Sequence, residues 1–279
     1  MASRYIKIAL AACAVAIATA CNSSDYNKVE INTPYGKMKV LLYDDTPLHK
    51  ANFLRLAENG DYDSLLFHRV IEGFMIQGGD PESRYAPMSK MLGSSEIGSP
   101  IDAEIVYPQH FHKRGALAAA RKADRINPLK MSSGSQFYIV QGTVFTDEQL
   151  DELETIHNNA IKSNIFYQIQ SEYKDSLQYY QDNGMSMELA ELQMNIMGRV
   201  SQMAEEQGLF SFSPEAREAY TTIGGAPRLD AEYTVFGEVI EGLDVIDSIA
   251  AQPVDQTYYN MQQTNRPLNN IWMTMKVIK

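Results

Sequence analysis

Short apolar runs separated by turn residues are the feature of this sequence that most limits its fold. Over most of the chain, runs of apolar or alternating residues end at glycine, proline or small polar residues. Runs of this length fit strands better than helices, and the residues between them are typical of turns. Only two short segments of this part, after Thr46-Pro47 and over 243–250, have helical spacing. Many short strands with two short helices predict a closed all-β barrel.

The expected strands follow one another along the chain. The first two flank a turn at Pro34-Tyr35-Gly36, which is typical of a β-hairpin. The full set comprises residues 28–32, 37–42, 65–71, 74–77, 115–120, 135–140, 234–239 and 270–278. The series is interrupted once, between the sixth and the seventh strand.

The interrupting segment has helical rather than strand periodicity. Thr146 and Gln149 have the spacing of a capping box, and apolar residues then recur at helical intervals. We expect a first helix over about 146–182, a second over about 186–207, and a short third helix that begins near Ser213.

Charge also separates this segment from the rest of the chain. Residues 147–226 carry fourteen acidic and four basic side chains, and so hold −10 of the net charge of −11. We interpret them as an acidic helical insertion, a hairpin or arm, in a barrel domain built from 28–146 and 227–279. Such an arm could mediate dimerisation or be a passive surface loop. The acidic balance argues against a nucleic-acid partner, which would require a basic surface.

The N-terminus has the pattern of an export signal. Arg4 and Lys7 precede an apolar run over 8–18, and small residues then lead to Cys21. At about 1.5 Å per residue, this run is too short to cross a hydrocarbon core of about 30 Å. Residues 1–20 are therefore predicted to be a removed signal peptide and not a membrane span.

Two interpretations of Cys21 follow from this pattern. In a plain secretory signal the cysteine is incidental, whereas in a bacterial lipoprotein signal it becomes the lipidated first residue. We favour the second, because Ala18-Thr19-Ala20-Cys21 resembles a lipobox and residues 21–27 can serve as a polar tether. The expected location is the bacterial cell envelope, with the lipid anchored in a membrane and the protein facing the periplasm or cell surface.

Several common catalytic patterns are missing from the sequence. It has no phosphate-binding glycine loop, no His-Glu-x-x-His and no Gly-x-Ser-x-Gly. Both cysteines lie within the first 21 residues, so neither a disulfide scaffold nor a cysteine nucleophile is expected. His110 and His112 could share one strand face, but we expect them to be merely exposed. No metal and no cofactor is predicted.

One segment carries the most specific information. Residues 67–80 read Phe-His-Arg-Val-Ile-Glu-Gly-Phe-Met-Ile-Gln-Gly-Gly-Asp, which by itself describes a barrel strand with Arg69 paired to a carboxylate. The segment resembles the cyclophilins, a family of peptidyl-prolyl cis-trans isomerases. The resemblance continues in Gly-Ala-Leu-Ala-Ala-Ala-Arg at 115–121, Gly-Ser-Gln-Phe-Tyr-Ile at 134–139, Leu-Asp at 229–230 and Thr-Val-Phe-Gly-Glu-Val at 234–239. It implies a closed eight-stranded barrel capped by two helices.

The resemblance also implies a proline-binding site with one catalytic arginine. Arg69 matches that arginine by its position in the motif, and His68 beside it is expected to be structural. The walls of the proline pocket are matched by Phe74, Met75, Tyr138 and Leu229. The positions that hold the substrate backbone are matched by Gln77, Ala120, Arg121 and Gln136.

Four of the matched positions depart from what many family members have. Tyr138 replaces Phe, Arg121 replaces Asn, Arg228 replaces Trp and Tyr233 replaces His. Arg228 and Tyr233 border the pocket, and so bear on substrate range and turnover. Because a guanidinium lacks the broad apolar face of an indole, Arg228 also predicts weak binding of cyclosporin.

Two functions are compatible with these residues. The first is an isomerase that assists the folding of exported proteins, with proline-containing unfolded or exported polypeptides as partners and the lipid as its only link to a membrane. The second is a catalytically weak proline-peptide binding or chaperone module that works through the insertion. Arg69 and the apolar pocket favour the first function, whereas Arg228 and Tyr233 keep the second open. Because the insertion ends beside Arg228 and Leu229, which the resemblance places at the substrate rim, the arm could also receive unfolded clients or restrict access to the pocket. The oligomeric state is left open.

Overall fold

The structure is a computed structural model that describes residues 27–259 and 262–278. The predicted signal peptide, Cys21 and all but the last residue of the predicted tether lie outside the described residues. Within the described part of the chain, no helix combines the length and the apolar composition needed to span a membrane.

The described chain contains twelve strands and six α-helices, two of the latter in the barrel and four in the insertion. The strands are β1 (Lys28–Thr33), β2 (Gly36–Leu42), β3 (Phe67–Ile71), β4 (Met75–Gly78), β5 (Ala116–Ala119), β6 (Phe137–Val140), β7 (Val235–Glu241), β8 (Val254–Asp255), β9 (Tyr258–Tyr259), β10 (Gln262–Gln263), β11 (Arg266–Pro267) and β12 (Thr274–Ile278). The helices are α1 (Pro47–Glu58), α2 (Asp147–Glu172), α3 (Lys174–Asp182), α4 (Ser186–Gln207), α5 (Pro214–Thr222) and α6 (Leu243–Ala250). The mainly-β class is confirmed, and the four strands over 254–267 were not predicted.

Eight strands form one curled antiparallel sheet in the order β12-β1-β2-β7-β5-β6-β4-β3. Since side chains alternate between the two faces of a strand, each strand sends one set inward and one set outward. Val70, Ile76, Ile139 and Leu117 belong to the inner set and are almost fully buried. Together with residues of α1 and α6 they form the main apolar core, so the two short helices cap the barrel as predicted.

The expectation of a closed barrel is wrong, because the ladder of paired strands does not close on itself. The edge strands β3 and β12 are not paired along their length in the part of the chain that the structure describes. Single contacts beside them connect the two edges: the amide of Phe67 donates to the carbonyl of Ile271 at 2.8 Å, and that of Met273 donates to Leu65 at 2.9 Å. The result is a curled half-barrel whose edges meet through an irregular seam.

The insertion is helical, and its first helix is interrupted. Thr146 and Gln149 form the predicted capping box at the start of α2. The expected continuous helix over about 146–182 is wrong, because α2 and α3 are separated at Tyr173, whose backbone leaves the helical region with φ −103° and ψ 11°. The Tyr173 ring and Leu177 nevertheless pack on the same apolar cluster, so the bend keeps α3 against the rest of the arm.

The insertion has two separate apolar clusters. The root cluster lies next to the barrel and consists of Leu150, Leu153, Phe212, Ala216 and Tyr220. The distal cluster, between α2 and α4, consists of Ile165, Ile169, Ile196, Val200 and Ala204. This division suggests that the distal part of the arm can be removed without opening the root.

The two ends of the insertion meet at a close backbone contact. The amide of Thr143 donates to the carbonyl of Gly225 at 3.2 Å, and the amide of Gly225 donates back at 3.0 Å. A Cβ atom on the neighbouring Gly142, whose φ is +70°, would lie 2.4 Å from the Cα of Gly225. Only glycine fits such an approach, and the insertion is therefore rooted firmly in the sheet.

Candidate active site

The candidate site lies on the outer face of β3, β4, β6 and β5. In the register of these strands, Arg69 lies opposite Gln77, Gln77 opposite Tyr138, and Tyr138 opposite Ala118. Residues that lie opposite each other in a sheet share a face. The strand pairing therefore brings the predicted arginine, a predicted glutamine and a predicted pocket wall into one row.

A chain of side-chain hydrogen bonds links the polar members of the site. Nη1 of Arg69 donates to Oε1 of Gln77 at 3.1 Å, and Nε2 of Gln77 donates to Oε1 of Gln136 at 3.1 Å. Nε2 of Gln136 donates in turn to the carbonyl of Ser95 at 2.7 Å. Each amide is thus held in one orientation by its neighbours.

The charge of Arg69 is not neutralised by a carboxylate in the described structure. None of the ion pairs among residues 27–259 and 262–278 involves Arg69, so the reading of a strand arginine paired to a carboxylate is wrong. Partial burial removes water from the guanidinium and lowers the pKa of Arg69 from its ordinary value. A half-buried and unneutralised cation is available to interact with an electron-rich group.

An apolar cluster lies beside this polar row. Met75 and Tyr138 are buried in it, and Phe74, Leu229, Tyr233 and Ala120 pack against it with part of their surface exposed. Tyr138 and Tyr233 meet edge to face, with ring centroids 5.9 Å apart and an interplanar angle of 84°. All four predicted pocket walls and Tyr233 therefore come together in one cluster.

The two arginines among the departing positions have different surroundings. Arg121 is held by Glu232: its Nε donates to the backbone carbonyl of Glu232 at 2.8 Å, and its Nη2 donates to the carboxylate at 3.0 Å. The Arg121 guanidinium also lies 4.5 Å from the centroid of the Tyr233 ring. Arg228 is exposed on a 3₁₀ turn, Pro227–Leu229, and is not a member of the apolar cluster. Arg121 therefore supports the Tyr233 side of the pocket, whereas Arg228 stands at its rim.

A cavity of about 310 Å³ adjoins the polar row. Gln77, Ala120, Arg121 and Gln136 border both the cavity and the candidate site. Glu96 lines it as well, and its carboxylate accepts a hydrogen bond of 2.8 Å from the amide of Gly134. The cavity could not be predicted from the sequence, because most of its lining comes from loops within 93–100 and 121–133, which have no periodicity.

The structure corrects the expectation for the two histidines near residue 110. His112 is 1% exposed and bonds to Asp230 and to the hydroxyl of Tyr138. His110 stacks on Tyr43 with ring centroids 3.9 Å apart and meets the carboxylate of Asp45 at 2.7 Å. Asp230 directly follows Leu229 in a segment that matches the family pattern. This match was the one sign in the sequence of the buried group formed by His112, Asp230 and Tyr138.

Comparisons with known proteins agree with this geometry. The family described as cyclophilin type peptidyl-prolyl cis-trans isomerase/CLD matches residues 27–179 and 211–277. A Staphylococcus saprophyticus protein, provisionally named a peptidyl-prolyl cis-trans isomerase, is 30% identical over 224 residues, which are 80% of this chain and 80% of the relative. A Streptococcus pyogenes protein, provisionally named a bifunctional phosphatase/peptidyl-prolyl cis-trans isomerase, is 41% identical over 117 residues, or 42% of this chain and 22% of the relative.

Solved structures give the same result for the fold. A Cryptosporidium parvum cyclophilin type peptidyl-prolyl cis-trans isomerase has a TM-score of 0.50 and 20% identity, and the match covers 91% of this chain and 98% of that one. The curled eight-stranded sheet thus defines a protein of the cyclophilin fold. Because the family match spans most of the residues, the chain belongs to the cyclophilin-type peptidyl-prolyl cis-trans isomerases, and is an isomerase enzyme.

Proposed function

We propose that Arg69 is the catalytic residue and that it accelerates rotation about X-Pro bonds by binding the twisted transition state. The observation that carries this proposal is a guanidinium that has no carboxylate partner within the described residues and is held by Gln77 at 3.1 Å, beside the apolar cluster of Met75 and Tyr138. Arginine stays charged in this environment and has a rigid fork of donors.

The chemistry follows from the electronic structure of the peptide bond. Resonance makes the C–N bond partly double and produces a rotation barrier of about 18–20 kcal/mol. In the twisted state the prolyl nitrogen regains a lone pair, which a guanidinium N–H can bind. The planar ground state offers no such lone pair, so the interaction is stronger in the transition state and lowers the barrier.

The remaining predicted residues would hold the substrate. The apolar walls Phe74, Met75, Tyr138 and Leu229 would bind the proline ring, while Gln77, Gln136 and the backbone at Ala120 and Arg121 would bind the chain before it. A solved structure of the Cryptosporidium parvum relative was obtained in the presence of the dipeptide Ala-Pro, which supports a proline-peptide ligand for this fold. Measuring kcat/KM on a proline tetrapeptide, with the Arg69→Ala variant beside it, tests the assignment.

We further propose that the enzyme acts on exported proteins and is anchored by lipid on Cys21. X-Pro isomerisation takes tens to hundreds of seconds, which is slow enough to limit folding. The sequence pattern before Cys21 supports the anchor. Mass spectrometry of the mature N-terminus tests it: a diacylated or triacylated Cys21 is expected, together with release from membranes in Cys21→Ser, and an unmodified N-terminus would refute the anchor.

A second function is supported by the outer face of α4. Met187, Met194 and Met197 lie at helical spacing on α4 and are 85%, 71% and 55% exposed, whereas Ile196, Val200 and Ala204 of the same helix are buried in the distal cluster. Methionine side chains adapt to varied apolar partners. We call these three residues the methionine stripe. The same helix carries the acidic side chains Glu188, Glu191, Glu205 and Glu206, so the stripe is complementary to a basic polypeptide segment with apolar side chains. We propose that the stripe holds such segments of unfolded clients while their prolines reach the active site.

A further inference from the structure

A buried chain of hydrogen bonds joins the insertion to the wall of the proline pocket. Its members are Tyr220 on α5, Asp230 after the 3₁₀ turn, His112 before β5 and Tyr138 on β6. Tyr220 is 0%, Asp230 1%, His112 1% and Tyr138 5% exposed. The proposed mechanism gives the first three residues no role, although they connect to one of its pocket walls.

Each link in this chain is short. The hydroxyl of Tyr220 donates to Oδ2 of Asp230 at 2.6 Å. Oδ1 of Asp230 accepts the backbone amide of His112 at 2.9 Å and lies 2.8 Å from Nδ1 of the same histidine. On the other side of the ring, Nε2 of His112 lies 2.9 Å from the hydroxyl of Tyr138.

The chemistry of the groups assigns the hydrogens along the chain. An ionised carboxylate can only accept, so Nδ1 of His112 donates to Asp230. In the neutral imidazole that carries its hydrogen on Nδ1, Nε2 is an acceptor, and the Tyr138 hydroxyl donates to it. Every polar side-chain atom of the four residues then has a partner. A buried group that lost its partner would retain the full cost of its desolvation.

This arrangement fixes the ring of Tyr138. The Tyr138 hydroxyl is bonded to His112, and the centroids of these two rings lie 6.0 Å apart at an interplanar angle of 11°. An edge-to-face contact with Tyr233 holds the Tyr138 ring from the side. The ring, and not the hydroxyl, is therefore what Tyr138 contributes to the apolar cluster. The tyrosine can replace phenylalanine here without making the pocket polar, provided that His112 stays in place.

We propose that Tyr220 is a positioning residue for the isomerase, acting through Asp230 and His112 on the Tyr138 wall of the pocket. The last helix of the insertion is then a working part of the active site. The inference rests on the proposed role of Tyr138 as a pocket wall. It agrees with the family match, which resumes at residue 211 and includes all of α5.

The competing explanation is that Tyr220 only packs. Its ring lies edge to face with Phe111 at 5.7 Å and with Phe212 at 5.6 Å, inside the root cluster. Tyr220→Phe separates the two explanations, because it keeps the ring and these contacts and removes only the hydroxyl. A packing role predicts unchanged kinetics, whereas a positioning role predicts a change in substrate binding.

The test measures kcat and KM on a proline tetrapeptide at a temperature well below the unfolding midpoint of every variant. Tyr220→Phe is expected to lower kcat/KM by about three- to tenfold, a change of the size of the net free energy of one hydrogen bond. The loss should lie mainly in KM, because a pocket wall binds the proline ring in ground state and transition state alike.

Two controls accompany this variant. Ser213→Ala removes the side chain that caps α5, where the hydroxyl accepts the amide of Ala216 at 3.1 Å. It is expected to lower the unfolding temperature without changing KM, so it separates helix stability from the hydrogen-bonded chain. Tyr167→Phe makes the same chemical change at a tyrosine that is 67% exposed on α2, and should change nothing.

A double-mutant cycle with Tyr138→Phe tests the route of the effect. If Tyr220 acts through Tyr138, the Tyr220→Phe loss should shrink to less than about twofold once the Tyr138 hydroxyl is absent. Wild-type kinetics in Tyr220→Phe, or an equal loss in both backgrounds, would overturn the proposal. Should Tyr220→Phe fail to fold, the isosteric Asp230→Asn serves instead, because its amide has one accepting oxygen where the carboxylate has two, so either the Tyr220 hydroxyl or His112 loses its acceptor.

The variant Tyr138→Ala separates this inference from the proposed site. Wild-type kcat/KM in Tyr138→Ala would show that Tyr138 does not line the pocket, and the proposed site itself would fail. A large loss in Tyr138→Ala together with unchanged Tyr220→Phe would refute only the positioning role.

Discussion

Arg69 and Gln77 face each other across β3 and β4, with 3.1 Å between Nη1 of the guanidinium and Oε1 of the amide. The amide oxygen orients the guanidinium but carries no full negative charge, so it leaves the cation unneutralised. A carboxylate at the same position would form an ion pair and occupy the fork of donors. Position 77 therefore affects both the direction and the availability of Arg69.

Gln77→Glu should lower isomerase activity while preserving the shape of the site. We expect a loss of about tenfold or more in kcat/KM, equivalent to about 1.4 kcal/mol of transition-state binding, because the new carboxylate competes for the guanidinium. Tetrapeptide turnover measures the effect. Gln149→Glu is the matched control, since glutamate also completes the capping box of α2. Full activity in Gln77→Glu would show that Arg69 does not act through its free donors.

His68 should make the stability of the protein depend on pH. Burial lowers its pKa to about 4, whereas an exposed histidine titrates near 6.5. The unfolded chain therefore binds a proton at a higher pH than the folded protein, and stability falls as pH drops from about 6.5 towards 4. From pH 7 to pH 5 the contribution of His68 amounts to about 2 kcal/mol.

Urea unfolding of the wild type and of His68→Gln over this pH range measures that contribution. The variant should lose less stability than the wild type between pH 7 and pH 5, because glutamine does not titrate. Equal pH dependence in the two proteins would mean that His68 is not held neutral by burial.

The distal arm should contribute to client handling and not to the chemical step. Replacing residues 160–206 with a short Gly-Ser linker removes the distal cluster and retains the root cluster. It also retains Asn158, which exchanges hydrogen bonds with the backbone of Phe210 at 3.0 and 2.8 Å. Tetrapeptide kcat/KM should stay within about twofold of wild type, as expected for a distant change. Refolding of a basic, proline-limited protein client should become slower.

The variant Met187→Gln/Met194→Gln/Met197→Gln, with the arm intact, provides the control for the methionine stripe. It should reproduce the loss on the protein client. If truncation or the triple variant leaves client refolding unchanged, the stripe has no client role. If the truncation or the triple variant changes only the molar mass measured by light scattering and leaves client refolding unchanged, the stripe is an interface between copies of this chain.

Cyclosporin should bind weakly, because Arg228 stands exposed at the pocket rim where many relatives have tryptophan. Titration calorimetry should give a dissociation constant well above the nanomolar range. Arg228→Trp should tighten binding by about tenfold or more through burial of the indole. Nanomolar binding by the wild type would show that the rim residue does not govern this ligand.

Most of the sheet and the row of site residues could be predicted from the sequence, because both depend on the local alternation of apolar and polar residues. The period-two pattern of 65–71 and 74–77 is sufficient to place Arg69 and Gln77 on one face once the strands pair. The seam between Phe67 and Ile271 could not be predicted in this way, since it is made by backbone groups outside the regular strands. The bend at Tyr173 was missed because apolar spacing continues through it.

The buried hydrogen-bonded chain was also beyond local reasoning. His112 and Asp230 are 118 positions apart, and a His-x-His pattern by itself is equally compatible with exposure. The chain of hydrogen bonds ends at Tyr220, which the insertion brings from a segment that the sequence presents as a separate helical unit. The division of the chain into barrel and insertion therefore cuts through a connected set of side chains.

The most direct test of the account is tetrapeptide isomerisation by Arg69→Ala, with unfolding temperature measured on the same preparation. Loss of a transition-state donor should lower kcat/KM by about a hundredfold or more. Stability should be nearly unchanged, because the half-buried guanidinium has no ion pair to lose in the described structure. Arg55→Ala, at an exposed arginine on α1, is the matched control and should retain full activity. Wild-type turnover in a folded Arg69→Ala protein would contradict the account.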